Sequence, residues 1–495
     1  TLMKKKALVV GSGFGGIASA LRLRKLGFQV TILERLDQIG GRARVFKKSG
    51  YTFDAGPTVI TAPFLFDELF KLFKKDRKKY VKFVRLDPWY RFYFSSNKKI
   101  FDYSDNLKKT ENEIKRFNHK DVEGYRKLLQ FSEKIFNVGF LKLSFTPFHN
   151  FWFMIKQLPT LLVLKSYLSV FSLVGKFIKN NQLQQALSIQ PLLLGGNPIT
   201  TTSIYNLIHF LERKWGVHYS MGGTGALIDG LKKLMLEEKI IIKKNSEVTK
   251  IITKKNEAIG VEVNKKKTFL ADKIIINADP TYTYKNLLKT PYNKKWNNKR
   301  VDSLDYSMGL FVIFFGTKKI YKKIAHHTIW MGKRYEGLLN DIFKKRILAD
   351  DFSLYLHRPT ATDKSMAPKG CDCFYVLSPV PNLKGNLDWK KNGEKYKNKI
   401  LLALEKTIMP ELKKNLEVCF YMTPENFKND YLSTYGSGFS ISPIFKQSAW
   451  FRFHNKSEDF KNLYFTGAGS HPGAGVPGVV SSAKIIENLI LNENK

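Results

Sequence analysis

Residues 7–34 constrain the fold more tightly than any other stretch. Ala7-Leu8-Val9-Val10 is an apolar run suited to a buried strand, and it enters Gly11-Ser12-Gly13-Phe14-Gly15-Gly16 directly. A helical run follows to Gly27, and Gln29-Val30-Thr31-Ile32-Leu33 reads as a second strand ending at Glu34. Gly11 permits the tight turn, Gly13 lets backbone approach a pyrophosphate, and Gly16 allows the helix to pack closely on the strand. Phe14 and Gly15 open the helix, whose free N–H groups and positive dipole end attract an anion. Glu34 stands where a carboxylate accepts hydrogen bonds from an adenosine ribose, with Arg35 beside it. Together these features predict a parallel α/β unit that binds a dinucleotide.

Further glycine-rich turns lie far along the chain. Gly40-Gly41-Arg42 offers backbone donors and a guanidinium for a second phosphate contact. Gly50-Tyr51-Thr52-Phe53-Asp54-Ala55-Gly56-Pro57-Thr58 alternates like a strand and closes in turn residues. Gly222-Gly223-Thr224-Gly225 opens an apolar helix, and Ile274-Ile275-Ile276-Asn277-Ala278 reads as another buried strand. Near the C-terminus, Leu463-Tyr464-Phe465 precedes Gly467-Ala468-Gly469-Ser470-His471-Pro472-Gly473-Ala474-Gly475-Val476-Pro477-Gly478-Val479 and an apolar helix. That repeats the order strand, glycine cradle, helix at the other end of the chain.

The intervening segments carry no nucleotide signature. Residues 81–220 show helical patterns rich in Lys and aromatics. Segment 291–439 mixes strands such as Met308–Phe315 with Lys-rich helices. The expected organisation is discontinuous: 1–80, 221–290 and 440–495 form the nucleotide domain, and 81–220 with 291–439 form a substrate domain. Within 140–178, Phe151-Trp152-Phe153-Met154-Ile155 and Leu161-Leu162-Val163-Leu164 are separated by Lys156, Pro159 and Lys165. No run reaches the length of a membrane span. Apolar and aromatic groups interleaved with Lys suit helices lying in a headgroup layer.

The net charge of +41 is mostly Lys in a chain also rich in Asn and Ile. Compositional bias and an anionic membrane surface both fit that excess. No Arg-aromatic module or zinc-ligand spacing points to nucleic acid. Cys371, Cys373 and Cys419 form no disulfide framework, which indicates a reducing compartment. His326-His327 has no companion at metal-ligand spacing and reads as structural, so no metal is expected. The basic start Met3-Lys4-Lys5-Lys6 precedes the nucleotide strand itself, so a cleaved signal peptide is rejected.

GxGxxG, then GGR, then FDAGPT resembles the superfamily of flavin-dependent amine oxidases and carotenoid desaturases. FDAGPTVIT at 53–61, LLLGGNP at 192–198, SIYNLIH at 203–209 and GGTGAL at 222–227 resemble bacterial-type phytoene desaturases more specifically. DFSLYLH at 351–357, QSAWFRFHN at 447–455 and GAGSHPGAGVPG at 467–478 extend the likeness nearly end to end. Ala468 stands where the broader amine oxidases usually carry an acid. The resemblance implies a Rossmann-like FAD-binding domain, a discontinuous substrate domain and a helical membrane-facing cap. It places FAD against Gly11, Gly13, Phe14, Gly15, Gly16, Glu34, Arg35, Gly41, Arg42, Pro57 and Thr58. It adds Val248 near adenine, Ala278 near the pyrophosphate, and Gly467, Gly469, Gly475, Pro477, Gly478 and Val479 at the flavin.

The implied reaction is FAD-dependent desaturation of a forty-carbon polyene, phytoene to lycopene, with a quinone or oxygen as electron acceptor. The implied location is cytoplasmic and peripheral on the inner membrane, without a transmembrane helix. Another carotenoid desaturase or isomerase, acting on a neurosporene derivative or a thirty-carbon polyene, is the alternative. A non-enzymatic lipid-escort protein of the same fold is more remote. The reaction needs a hydride acceptor, a long apolar tunnel and a group to take the second proton. Candidates for that proton near the cofactor motifs are His471, Asp54, Arg42 and His454.

Overall fold

The computed structural model describes residues 5–143, 145–148, 150–288 and 295–493. Met3 and Lys4 of the basic start and the expected boundary at 290 lie outside the described residues.

The opening motif folds as its residues dictate. The strand Lys6–Val10 is followed by the helix Phe14–Lys25 and the strand Gln29–Leu33. The helix stops at Gly27, whose φ of +94° suits glycine, and the N–H groups of Gly27 and Phe28 return to the carbonyls of Arg24 and Leu23. Arg22, Arg24 and Lys25 occupy its last turn, where cations complement the helix dipole.

These strands belong to a five-stranded, all-parallel sheet. Its order is Leu463–Phe465, Lys273–Ile276, Lys6–Val10, Gln29–Leu33, Ile241–Lys243. The two ends of the chain therefore meet in one sheet. Side chains alternate between its faces. Ala7, Val9, Val30, Ile32 and Ile275 pack into a core with the helices Phe14–Lys25, Thr224–Glu237 and Val476–Glu493. Leu8, Val10, Leu33, Ile274 and Ile276 pack on the other side against the antiparallel sheet of Val248–Lys254, Glu257–Val263 and Lys267–Leu270. Burial on both faces is why these strands are continuous apolar runs. Truncating Ile275 to Ala would cost about 2–5 kcal/mol of stability.

A second, seven-stranded sheet runs Leu416–Met422, Gly309–Thr317, Asp372–Val380, Leu354–His357, His327–Met331, Tyr90–Phe94, Ile100–Tyr103. Only the pairing of His327–Met331 with Tyr90–Phe94 is parallel. All of Gly309–Thr317 is buried: Phe311, Ile313 and Phe315 face the helix Trp389–Glu405, while Leu310, Val312 and Phe314 face the interior. Segment 81–220 is not purely helical as its patterns suggested. It contributes Phe83–Arg85, Tyr90–Phe94, Ile100–Tyr103 and His218–Ser220, strands too short to register as periodicity. Its helices include Asp121–Val138, Phe151–Val163, Val170–Phe177 and Leu207–Trp215.

Candidate functional site: a glycine-lined cavity with an apolar arm

One cavity of about 470 Å³ is lined by both sheets and both chain ends. Gly11, Gly13, Phe14, Glu34, Arg35, Gly41, Arg42, Pro57, Thr58, Val248 and Ala278 line it, as do Gly467, Gly475, Pro477, Gly478 and Val479. The remaining wall is mostly apolar, with Leu192, Leu193, Leu194, Leu207, Leu310 and Val312 among its members.

The polar end has the chemistry of an anion site. Gly13 is the N-cap of Phe14–Lys25, no side chain caps that helix, and its first turn carries no acid. Its first N–H groups are therefore free to donate to a ligand. The Asn277 side chain wedges between the two glycine cradles. A Cβ on Gly13 would lie 2.8 Å from Asn277 Nδ2, and one on Gly15 or Gly467 would lie 2.6 or 2.8 Å from Asn277 Oδ1. Glu34 ends its strand with both carboxylate oxygens engaged. Ser12 N–H donates over 3.0 Å and Leu36 N–H over 2.8 Å, and the Ser12 hydroxyl also donates. The Arg42 guanidinium donates to Ser433 Oγ and lies 5.4 Å from the Tyr431 ring centre, while its buried Nε has no hydrogen-bond partner. Burial holds its pKa below the usual arginine value, against the attraction of Asp279. An uncapped helix N-terminus, a cradle closed to Cβ atoms and a guanidinium with an unused donor fit a dinucleotide pyrophosphate.

Several residues expected at the site lie behind it. A Cβ on Gly16 would be 2.1 Å from the Gly11 carbonyl oxygen, so Gly16 serves the close turn-to-helix contact. Gly15 backs onto Asn277 and Thr466, and Gly469 onto Pro280. None of the three lines the cavity. Nor do Asp54 and His471, expected as candidate proton acceptors: both lie outside its wall. The Asp54 carboxylate accepts N–H bonds from Thr224 (3.0 Å) and Gly225 (3.3 Å), pinning the start of Thr224–Glu237. Burial raises its pKa to about 6. His471 Nε2 is 3.0 Å from the Thr146 carbonyl oxygen, and its ring packs on Phe148. His454 Nε2 is 2.9 Å from the Trp450 carbonyl oxygen, likewise away from the cavity.

Other groups escaped the sequence reading. Strand pairing sets His357 opposite His327, so the His326-His327 pair does have a companion. The three buried imidazoles each bring a ring nitrogen within 4.8 Å of the others. Burial keeps their pKa values low, His327 at about 3. Tyr355, in the cavity wall, links that cluster to Thr58: its hydroxyl is 2.5 Å from His327 Nδ1 and 2.9 Å from Thr58 Oγ1. Glu212 and Tyr90 also stand in the wall. Outside the cavity, Trp152 (70%), Leu162 (61%) and Val163 (76%) on the helix Phe151–Val163 and Tyr167 (64%) in the turn after it are exposed. No helix among the described residues is long and apolar enough to cross a membrane.

Comparison with known proteins agrees with this geometry. Residues 14–486 match the family described as flavin containing amine oxidoreductase. The chain is 44% identical over 491 residues to a lycopene-forming phytoene desaturase of Pantoea ananas, covering 99% of each. It is 40% identical over 491 residues to a neurosporene-forming phytoene desaturase of Rhodobacter capsulatus, covering 98% of this chain and 94% of that one. Among solved structures, an oxidoreductase from Methanosarcina mazei superposes with a TM-score of 0.66 at 17% identity, over 98% of this chain and 100% of the other. Putrescine oxidase bound to putrescine superposes equally, at 0.66 with 12% identity and 99% of each chain covered. The chain belongs to the flavin-containing amine oxidoreductases, within the branch of the bacterial phytoene desaturases.

Proposed function

We propose that this protein is an FAD-dependent desaturase converting phytoene to lycopene through phytofluene, zeta-carotene and neurosporene. The observation that carries the reading is a single cavity joining a glycine cradle, at the uncapped start of a helix, to an apolar arm. Full-length similarity to lycopene-forming relatives supports the forty-carbon substrate and the end product. Similarity to the neurosporene-forming relatives supports the alternative of fewer steps.

In this reading the ADP half of FAD lies along Gly11, Gly13, Glu34 and Val248, with Arg42 donating to the pyrophosphate. Pro57, Thr58 and Gly467 to Val479 hold the flavin end, where the helix Val476–Glu493 begins. The flavin supplies a hydride-accepting centre. The chain's leucine-lined arm aligns the polyene and excludes water, so that an otherwise unreactive CH–CH bond is held in one orientation. Division into a nucleotide unit (1–80, 221–290, 440–495) and a substrate unit (81–220, 291–439) is supported by the membership of the two main sheets.

The substrate dissolves in lipid, and the exposed Trp152, Leu162, Val163 and Tyr167, with Lys156 and Lys165 among them, are suited to a headgroup layer. The protein then sits peripherally on the cytoplasmic face of the inner membrane and passes electrons to a quinone or oxygen. Expression in a host that accumulates phytoene tests the reading. Red lycopene is expected; unchanged phytoene beside flavin-loaded protein contradicts it.

A further inference from the structure

Desaturation removes two hydrogens from neighbouring carbons, and only one leaves as hydride. The other must leave as a proton, and of the residues expected from sequence to receive it, Asp54, His454 and His471 are not in the cavity wall and Arg42 is a cation. The cavity wall holds five carboxylates besides main-chain groups: Glu34, Glu212, Glu247, Asp279 and Asp430. Four of them are engaged. Glu34 accepts from Ser12 and Leu36. Glu247 pairs with Arg35 at 3.5 Å and Asp430 with Arg44 at 2.6 Å. Asp279 accepts from Thr281, Thr434 and Ser440.

Glu212 differs from all four. It is completely buried, neither carboxylate oxygen makes a close, well-aligned hydrogen bond among the described residues, and the Tyr90 hydroxyl is the group that faces it. It projects from the helix Leu207–Trp215, which also sends Leu207, Ile208 and Leu211 into the apolar wall. A buried carboxylate with no cation paired to it and only a tyrosine hydroxyl facing it is costly, and such a group in a cavity wall is a mark of function.

Resting on the desaturase reading above, we propose that Glu212 is the proton acceptor of the reaction. One C–H bond breaks with its electron pair leaving as hydride to the flavin. The second C–H bond breaks with its proton passing to a Glu212 oxygen, and its electron pair becomes the new C=C bond. The substrate is oxidised by two electrons, the flavin is reduced by two, and a quinone or dioxygen takes them on. Burial raises the Glu212 pKa to about 7, opposed by the facing Tyr90 hydroxyl and the adjacent Arg213. A base poised there accepts a proton and returns it at neutral pH. Tyr103 and Tyr125 face the same carboxylate from neighbouring elements, and both keep their protons because burial pushes their pKa values upward. His209, three residues earlier on the helix, is held neutral by burial, with a pKa of about 4.

The test uses flavin-loaded wild type, Glu212→Gln, Glu212→Asp and Tyr90→Phe with phytoene in lipid vesicles. Wild-type turnover should rise with pH through about 7 and then level off. Glu212→Gln should keep its flavin and lose roughly 10²–10⁴-fold in turnover. Glu212→Asp should recover part of that loss, and Tyr90→Phe should move the midpoint to higher pH. Independently of activity, infrared difference spectra of the wild type should show a protonated-carboxyl band that disappears near pH 7 and is missing from Glu212→Gln. Wild-type turnover in Glu212→Gln, or no carboxyl titrating near neutrality, overturns the assignment. If Glu212→Gln does not load flavin, an unmoved midpoint in Tyr90→Phe overturns it instead. A wild type inert toward phytoene defeats the desaturase reading, and this assignment with it.

Discussion

Gly13 can be replaced without straining the backbone, because its φ of −67° and ψ of 176° are open to any L-residue. What forbids a side chain is space. A Cβ there lies 2.8 Å from Asn277 Nδ2, at the lip of the cavity and at the uncapped start of Phe14–Lys25. In Gly13→Val, the Asn277 amide must move and two further methyl groups crowd the helix N-terminus. Overpacking of this kind costs about 1–3 kcal/mol of stability, which a domain of this size tolerates. The larger effect falls on the cofactor. Losing two N–H bonds to a charged pyrophosphate costs about 1.5–3 kcal/mol each. The sum of about 3–6 kcal/mol corresponds to roughly 10²–10⁴-fold weaker FAD binding. Visible flavin absorbance of the purified protein and a fluorescence titration with FAD measure this. Gly27→Ala serves as control: its Cβ meets nothing within 4 Å, although its φ of +94° strains any side chain. The control should lose a little stability and keep its flavin. Wild-type FAD affinity in a folded Gly13→Val would refute the placement of the pyrophosphate.

Asp54→Asn should retain flavin and turnover within a few-fold, because its carboxylate serves a helix start rather than the reaction. Its stability should respond to pH in a defined direction. Burial raises the Asp54 pKa from 3.8 to about 6, so the folded state binds that proton more tightly than the unfolded chain. The contribution, up to about 3 kcal/mol, is fully present below pH ~4 and lost as pH rises through ~6. Melting curves of Asp54→Asn should lack that loss. Arg42→Met keeps the length of the side chain and removes its charge; FAD affinity should fall by roughly 10–100-fold, for one charge-assisted bond, in the same titration. Replacing Trp152 and Leu162 together with Glu should leave the melting temperature nearly unchanged and cut co-sedimentation with anionic lipid vesicles at least tenfold; undiminished co-sedimentation would show that this face does not bind lipid.

The nucleotide half was legible because its signals are local and repeated. Val9 and Ile275 read as buried strands, each glycine turn is followed by an apolar helix, and the sheet that joins Lys6–Val10, Lys273–Ile276 and Leu463–Phe465 needed only those runs. Side-chain direction was not legible. Asp54 adjoins a cofactor motif in sequence, yet it turns to the N-terminus of Thr224–Glu237. His471 sits in the middle of the C-terminal cradle and points to Thr146 and Phe148. Glu212 lies in Leu211-Glu212-Arg213-Lys214, which reads as a solvated helical face. It is buried because Leu207–Trp215 lies against Asp121–Val138 and turns this side chain toward Tyr90. Strand register is equally non-local: nothing near His327 announces that His357 will lie opposite it.

The most direct measurement is a single anaerobic reaction of the flavin-loaded protein with phytoene in lipid vesicles, followed by its visible spectrum. The expected result is bleaching of the flavin absorbance with matching growth of a longer conjugated polyene. On readmission of oxygen or a quinone, the reaction should continue to lycopene. An oxidised flavin that persists beside intact phytoene would contradict the assignment of this cavity to carotene desaturation.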